Sequence, residues 1–169
     1  MQARPVRQND LATICGFPRN AEELFHFFPK AEFPLTPERL QEAIDARSDS
    51  TVVDLDGDPI AFANFYRWNF QGRCSIGNVV VAPAARGRGV AVFLVRHMID
   101  LAFSKHEASE ISVSCFNANT SGLLLYAKLG FEPFAMEERR DGSGRRLALL
   151  HMHLNRTTQA NTLAKQMET

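Results

Sequence analysis

The sequence predicts an α/β (α+β) fold with a mixed, mostly antiparallel central sheet of about six to seven strands flanked by helices. Two observations lead to this prediction. Short segments with the alternation or the valine-rich composition of strands recur along the chain. In one long segment the apolar residues recur every three or four positions, which is typical of a core-facing helix. The predicted order is early helices, an antiparallel meander, a strand–helix–strand–helix run and a closing hairpin.

Composition and charge limit the class of protein. The 169 residues are 45% hydrophobic and 22% charged, as in an average globular chain. The 19 basic and 19 acidic residues give a formal net charge of zero, so no global field favours nucleic acid or an anionic membrane. No apolar run reaches the roughly 18 residues of a membrane helix, and no secretion signal is evident. We expect one domain over residues 1–154, a polar tail over 155–169 that frays, and a cytoplasmic location.

The three cysteines, Cys15, Cys74 and Cys115, are far apart in the sequence. They form no CxxC pair, and no histidine stands at a spacing typical of a zinc site. We therefore expect reduced, largely buried thiols and no metal.

Helix-capping signals predict three short helices in the first third of the chain. Residues 2–7 fit an edge strand that precedes them. Each helix starts after a residue of the capping type: Asn9 or Asp10, Asn20, and Thr36. Pro29 ends the second helix, while Pro37 suits the first position of the third, which should run to about Arg47.

The middle of the chain changes to strand patterns. Residues 51–55 and 60–66 flank the turn at 56–59 and predict a hairpin. Residues 75–82 are rich in valine and are followed by Pro83, which indicates a third, buried strand.

The last half of the chain alternates between helix and strand patterns. Its predicted elements are a helix from Gly89 to about His106, a strand at 111–116, a helix at 119–129 stopped by Gly130, and strands at 132–140 and 145–154 around the turn 141–144.

The glycine-rich turn before the long helix is a candidate anion site. Backbone N–H groups at a helix start converge, the helix dipole adds positive potential, and glycines allow close approach of a ligand. Arg86 and Arg88 could add charge-assisted hydrogen bonds, unless Arg88 points outward. A solvated turn is the alternative, because short glycine-rich patterns are weak signals. A P-loop and a dinucleotide-binding turn are excluded, because their motifs are absent.

Two ordered motifs resemble the GNAT superfamily of N-acetyltransferases. The run Val79–Ala91 resembles the superfamily's acyl-CoA motif, with the core (Gln/Arg)-x-x-Gly-x-(Gly/Ala) filled by Arg86, Gly89 and Ala91. The run Asn119–Phe131 resembles the second motif, an Asn followed by a helix with a Tyr and then Gly-Phe. The resemblance covers roughly residues 51–154 and implies acetyl-CoA as co-substrate.

The resemblance also implies residues that contact the donor. The backbone of three valines would pair with the pantetheine arm: Val79, Val80 and Val81. The turn would bind the pyrophosphate through six residues: Arg86, Gly87, Arg88, Gly89, Val90 and Ala91. Asn119 would hydrogen-bond the CoA arm, although an N-cap role is the alternative.

The implied chemistry is direct attack of an amine on the thioester in a ternary complex. Tyr126 matches the superfamily's general acid for the departing thiolate, with a core tyrosine as the alternative. The backbone N–H of Val81 is the implied oxyanion contact. A double displacement through Cys115 is the minor variant, since no basic neighbour in the sequence would lower its pKa.

The general base is not assigned by the sequence. Some members carry a Glu five residues before the conserved Asn, where this chain has Ser114. A water relay through Asn78, Ser114 or a backbone carbonyl, or a carboxylate such as Glu32, could replace it. The five histidines have no spacing typical of a ligand set or triad and receive no role: His26, His97, His106, His151 and His153.

Acceptor and partners are less defined. The aromatic run 25–34, with Tyr66 and Trp68, could line an acceptor cleft or simply cover the sheet. We expect a small-molecule or peptide amine as acceptor, with neither nucleic acid nor membrane as a partner, and a homodimer is left open. The arginine pairs around the last hairpin do not favour nucleic acid at zero net charge. The alternative function is a non-catalytic acyl-CoA sensor of the same fold.

Overall fold

A computed structural model describes residues 1–156 of the chain. Its seven strands form one mixed, mostly antiparallel sheet with the order β1-β2-β3-β4-β5-β7-β6. The strands are β1 Gln2–Pro5, β2 Ser48–Leu55, β3 Asp58–Trp68, β4 Arg73–Val81, β5 Glu110–Phe116, β6 Glu132–Arg140 and β7 Arg146–Asn155. The helices are α1 Leu11–Cys15, α2 Ala21–Phe27, α3 Pro37–Asp45, α4 Val90–Ser104 and α5 Thr120–Lys128. The predicted fold class is confirmed.

The first compact unit comprises residues 1–67 and 76–98. In it β1 pairs antiparallel with β2, and β2 pairs antiparallel with β3. Its core cluster is apolar and draws on the early helices, their connections and strands β2, β3 and β4: Leu11, Ile14, Phe17, Leu24, Phe27, Phe28, Leu35, Leu40, Ala43, Val52, Phe62 and Val80. The hairpin predicted around the turn 56–59 is present, but its turn is shorter because β3 begins at Asp58. The two turn residues, Asp56 and Gly57, have positive φ, 55° and 98°, as a two-residue hairpin turn requires.

The predicted caps of α2 and α3 are confirmed. The side chain of Asn20 accepts a hydrogen bond from the Glu23 N–H, and that of Thr36 accepts one from the Arg39 N–H. Of the two caps predicted for α1, Asp10 takes the N-cap position, but its side chain makes no cap hydrogen bond to α1. The Asp10 carboxylate accepts the Arg7 N–H at 2.7 Å and so closes a short 3₁₀ turn at 8–10 that precedes α1. Arg4 fixes that carboxylate with two further hydrogen bonds, at 2.7 and 3.0 Å.

The second compact unit comprises residues 68–75 and those from 99 onward. Here β7 pairs antiparallel with both β5 and β6. Gly130 follows α5 with φ 90°, as predicted for a glycine after a helix end. The predicted tail begins at Asn155, the last residue of β7, and residues 157–169 lie outside the described part. The single domain at 1–154 stays a prediction.

Within residues 1–156, no helix combines the length and the apolar character that a membrane crossing requires.

Candidate active site

The glycine-rich turn connects β4 to α4 in the first unit. Residues 86–89 are exposed, and Gly87 and Gly89 have φ values of 75° and 77°. Other residue types rarely adopt this backbone conformation. At both glycines, no heavy atom of the described residues lies within 4 Å of the position a Cβ would occupy, apart from the immediate chain neighbours. The glycines therefore serve the conformation and leave the backbone open to a ligand.

Helix α4 starts directly after this turn. Val90 is 3% exposed and anchors the helix start in the core, while the Gly89 carbonyl accepts the Phe93 N–H at 3.0 Å. The N–H groups of the first helical turn have no partner within the helix, and the helix dipole gives this end positive potential. An anion bound at the open turn would therefore contact these N–H groups and lie at the positive end of the helix dipole.

Arg86 is held by an ion pair that the sequence did not predict. Its guanidinium binds both carboxylate oxygens of Glu23 on α2, at 3.1 and 3.0 Å, and its Nε donates to the Val81 carbonyl at 3.2 Å. Arg19 binds the same carboxylate. Hydrogen bonds from Arg86 and then Arg19 hold the pKa of Glu23 well below its ordinary value. Arg86 thus fixes the turn to α2, and its side chain is still 39% exposed.

Strand β4 leads into the turn with an irregular residue. Val80 packs in the core at 8% exposure, and Val79 and Val81 are half-buried. Asn78 has φ 50°, and its amide donates to the Phe27 carbonyl at 2.9 Å.

The side-chain oxygen of Asn78 is occupied as well. It accepts hydrogen bonds from Arg47 at 2.5 Å and from Asn64 at 3.2 Å. Both polar groups of this 6% exposed amide therefore hold β4 in place. Asn78 therefore positions β4, and its part in a water relay stays a prediction.

The second predicted motif forms the start of α5 in the second unit. The Oδ1 atom of Asn119 accepts the Gly122 N–H at 3.0 Å, so Asn119 is the N-cap of α5. A Cβ at Gly122 would stand 2.8 Å from Asn119 Nδ2 and 2.9 Å from Cys115 Sγ. A larger residue there would displace the Asn119 amide or the Cys115 sulfur. The cap uses the oxygen of Asn119 and leaves its NH₂ group for another partner.

Tyr126 lies on α5 and is 6% exposed. Its ring packs edge-on against Phe131 at a centroid distance of 5.8 Å. Burial, and secondarily Cys115, raise the pKa of the phenol above its ordinary value. The hydroxyl is therefore protonated at neutral pH, which a proton donor requires.

Cys115, on β5, is a poor nucleophile. Burial raises the pKa of its thiol to about 12, and its sulfur lies 3.6 Å from the Asn119 carbonyl oxygen. Because of this raised pKa, almost no thiolate is present at neutral pH. Thiolate is the form of cysteine that acts as a nucleophile.

Three polar side chains on β5, β7 and β6 form a chain of hydrogen bonds. Ser114 Oγ lies 2.8 Å from His151 Nδ1, and His151 Nε2 lies 3.1 Å from Glu137 Oε1. Arg139 contacts the same Glu137 oxygen at 2.6 Å. Residue identity and spacing gave no sign of this group, because Ser114 and His151 are 37 positions apart.

The predicted acceptor residues divide into two classes. Phe27 and Phe28 are 4% and 3% exposed and belong to the core of the first unit, whereas Phe33 and Tyr66 are 45% and 43% exposed. In the second unit, Trp68 is 41% exposed. Part of the run therefore covers the sheet and part is available at the surface. The remaining base candidate of the sequence, Glu32, is exposed.

A family model matches residues 17–131, and its description is Acetyltransferase (GNAT) family. Among curated proteins, the streptothricin acetyltransferase of Streptomyces lavendulae is 34% identical over 93 residues, which are 53% of this chain and 48% of that protein. The chain thus spans about half the length of this relative.

Solved structures share the fold. The spermidine N-acetyltransferase of Vibrio cholerae, in complex with CoA and spermine, has a TM-score of 0.78 at 19% identity and covers 94% of this chain and 97% of its own. The ribosomal-protein-alanine N-acetyltransferase of Brucella melitensis has a TM-score of 0.76 at 19% identity, and the match covers 92% of this chain and 99% of that one.

Proposed function

Because the chain belongs to the acetyltransferase (GNAT) family, we propose that it transfers the acetyl group of acetyl-CoA to a primary amine by direct attack in a ternary complex. The open turn between β4 and α4 carries this proposal. Its two glycines adopt positive φ, its backbone is exposed, and a helix of 15 residues starts behind it. A diphosphate suits such a backbone because its charge is met by N–H groups and the helix dipole.

The proposed donor contacts follow the chain from β4 into α4. The backbone of residues 79–81 binds the pantetheine arm, and the turn residues 86–91 bind the pyrophosphate. Arg86 takes part through its side chain, which is 39% exposed in the pair with Glu23, and Arg88 lies on the exposed part of the turn. Asn119 contributes its NH₂ group, which the cap of α5 does not use.

The proposed chemistry uses Tyr126 as general acid. The neutral amine attacks the thioester carbonyl, the Val81 N–H stabilises the oxyanion, and Tyr126 gives its proton to the departing thiolate. The raised pKa of Tyr126 supports a proton-donating role. A route through an acetylated Cys115 is disfavoured because burial keeps that thiol protonated, with a pKa of about 12.

We propose a small-molecule amine as acceptor. The support is the sequence relative, whose name gives streptothricin as its acceptor. Exposed aromatic side chains such as Phe33 and Tyr66 offer apolar surface to an organic amine.

The test is the release of free CoA thiol from acetyl-CoA in the presence of streptothricin, spermidine, free amino acids or an alanine-terminated peptide. We expect thiol release with at least one small amine and none without an amine. CoA binding by calorimetry is measured in parallel. Tight binding without thiol release across the panel would replace the enzyme by an acyl-CoA sensor, and absence of binding would overturn both.

A further inference from the structure

The hydrogen-bonded group of Ser114, His151 and Glu137 contains a proton acceptor, and the sequence left the general base unassigned. We propose that His151 is the general base of the reaction, that it acts through Ser114, and that Glu137 stabilises its charged form. This proposal rests on the proposed acetyl transfer. It assigns the step that precedes attack, because an alkylammonium must lose a proton before its nitrogen can act as a nucleophile.

Strand pairing brings the three side chains together. In the antiparallel register, Ser114 on β5 stands opposite His151 on β7. On the other side of β7, β6 places Glu137 opposite Leu149, two residues from His151 on the same face. The hydrogen bonds of 2.8 and 3.1 Å therefore connect three adjacent strands across one face of the sheet.

The chemistry of the partners determines the tautomer of His151. A carboxylate only accepts hydrogen bonds, so His151 Nε2 carries the proton that faces Glu137. The neutral ring then has a lone pair on Nδ1, and the Ser114 hydroxyl donates to it. The Ser114 oxygen can then accept a hydrogen bond from the ammonium group of the acceptor. Enzymes in which a histidine activates a hydroxyl group use the same pair of hydrogen bonds.

Charged and aromatic side chains of β6 surround His151. Glu137 faces His151 from β6 and is itself paired with Arg139. The Phe134 ring, also on β6, lies 6.1 Å from the His151 ring and 5.0 Å from that of His153. The His151 side chain is 28% exposed, so a proton taken from the amine can leave to water.

Ser114 is the member of this group on β5, and Cys115 follows it in the strand. Successive residues of a strand point to opposite faces, so Ser114 and the buried Cys115 lie on opposite faces of β5. A serine cannot itself accept a proton at neutral pH, but the bonded histidine can.

The protons balance over one turnover. An ammonium proton passes to Ser114 Oγ while the Ser114 hydroxyl proton passes to His151 Nδ1, which gives neutral amine and imidazolium. After attack, the nitrogen loses a second proton, and this proton replaces the one that Tyr126 gave to the thiolate. His151 then releases the first proton to water, so the products are amide, CoA thiol and one proton.

The experiment compares His151→Gln with His153→Gln, using acetyl-CoA with streptothricin and with spermidine. His153 is a matched control: it lies two residues along the same strand, it also bonds a carboxylate, Glu110 at 3.3 Å, and its side chain is 32% exposed. We expect His151→Gln to lower kcat by about 10²–10⁴-fold, with CoA binding unchanged. His153→Gln should keep the wild-type kcat.

Three further measurements separate a proton relay from a structural role. The acidic limb of the kcat profile should differ between the wild-type protein and His151→Gln, because only the wild-type protein carries an imidazole at this position. Ser114→Ala should lose activity like His151→Gln, and Glu137→Gln should lose less. Nitrogen NMR of the free protein should show His151 protonated at Nε2.

Several results would overturn the relay. These are wild-type turnover and an unchanged acidic limb in His151→Gln, a ring protonated only at Nδ1, or an acetyl group on Ser114 after incubation with acetyl-CoA. The last result would make Ser114 a nucleophile. Absence of thiol release by the wild-type protein with any amine would instead overturn the proposed function, and the relay with it.

Discussion

The glycine-rich turn at 86–91, in the first unit, and the β5–α5 region, in the second, are proposed to act by different means. The turn is exposed and works through its backbone, with Gly87 and Gly89 at positive φ. The second region works through side chains: Tyr126 is buried on α5, and Ser114, His151 and Glu137 are connected across three strands. A backbone site depends on a few consecutive residues, whereas a side-chain site depends on which strands pair. We therefore expect changes in the turn to alter donor binding and changes in the second region to alter turnover.

The largest expected effect is that of Tyr126→Phe. Loss of the hydroxyl should lower kcat by about 10²–10⁴-fold, while CoA binding by calorimetry stays within error. Because burial raises the pKa of Tyr126, wild-type kcat should not fall through ionisation of this phenol below about pH 10, the ordinary value for tyrosine. Tyr66→Phe, at a 43% exposed tyrosine of β3, is the control and should leave CoA binding unchanged. A Tyr126→Phe protein with wild-type kcat would remove Tyr126 as the acid.

Gly89→Ala should produce the next largest effect, which is a loss of CoA affinity. A Cβ at φ 77° strains the backbone by roughly 1–2 kcal/mol and also intrudes on the open surface of the turn. We expect CoA to bind roughly 10–100-fold more weakly, or about 1.4–2.8 kcal/mol. Gly57→Ala is a matched control, because Gly57 also has positive φ and open space around it but lies in the β2–β3 turn. If both variants lose similar stability and only Gly89→Ala loses CoA affinity, the result supports the turn at 86–91 as the binding site. Equal CoA affinities of the two variants would contradict it.

Arg86→Gln should weaken CoA binding less. The guanidinium is already committed to Glu23, so only the contact with the ligand and the fixing of the turn are lost. We expect about five- to tenfold weaker binding, the equivalent of roughly 1–1.4 kcal/mol for one charge-assisted contact. Arg39→Gln breaks a comparably exposed ion pair with Glu42 on α3 and should leave CoA affinity unchanged. If Arg86→Gln binds CoA like the wild-type protein, Arg86 has only the structural function of pairing with Glu23.

The smallest expected effect distinguishes the two functions considered for Asn119. Asn119→Ser keeps an oxygen that can cap α5 but removes the NH₂ group, so the melting temperature should change little while CoA binds roughly two- to fivefold more weakly. Asn20→Ser makes the same exchange at the cap of α2, where the bond to Glu23 N–H is 2.9 Å, and should not affect CoA. If both variants bind CoA like the wild-type protein, Asn119 is a cap alone.

Local patterns predicted most of the elements and two of the three caps. Asn20, Thr36 and Gly130 were predictable because a cap or a helix stop involves residues within one or two turns of chain. Asp10 takes the predicted N-cap position of α1, but its carboxylate binds Arg4 and the Arg7 N–H instead of capping that helix. The contact with Arg4 depends on how β1 packs. The motif-based site residues stay predictions, since binding and turnover have to be measured.

The sequence by itself determined the order of the elements, the glycine-rich turn and the family motifs, because each depends on residues that are close along the chain. Only the tertiary structure decided that Arg86 is fixed by Glu23, 63 positions away, and that Ser114 bonds His151, 37 positions away. Such contacts are set by strand register and helix packing. A shift of one residue in the β5–β7 register would turn either Ser114 or His151 to the opposite face, and the proton acceptor would be lost.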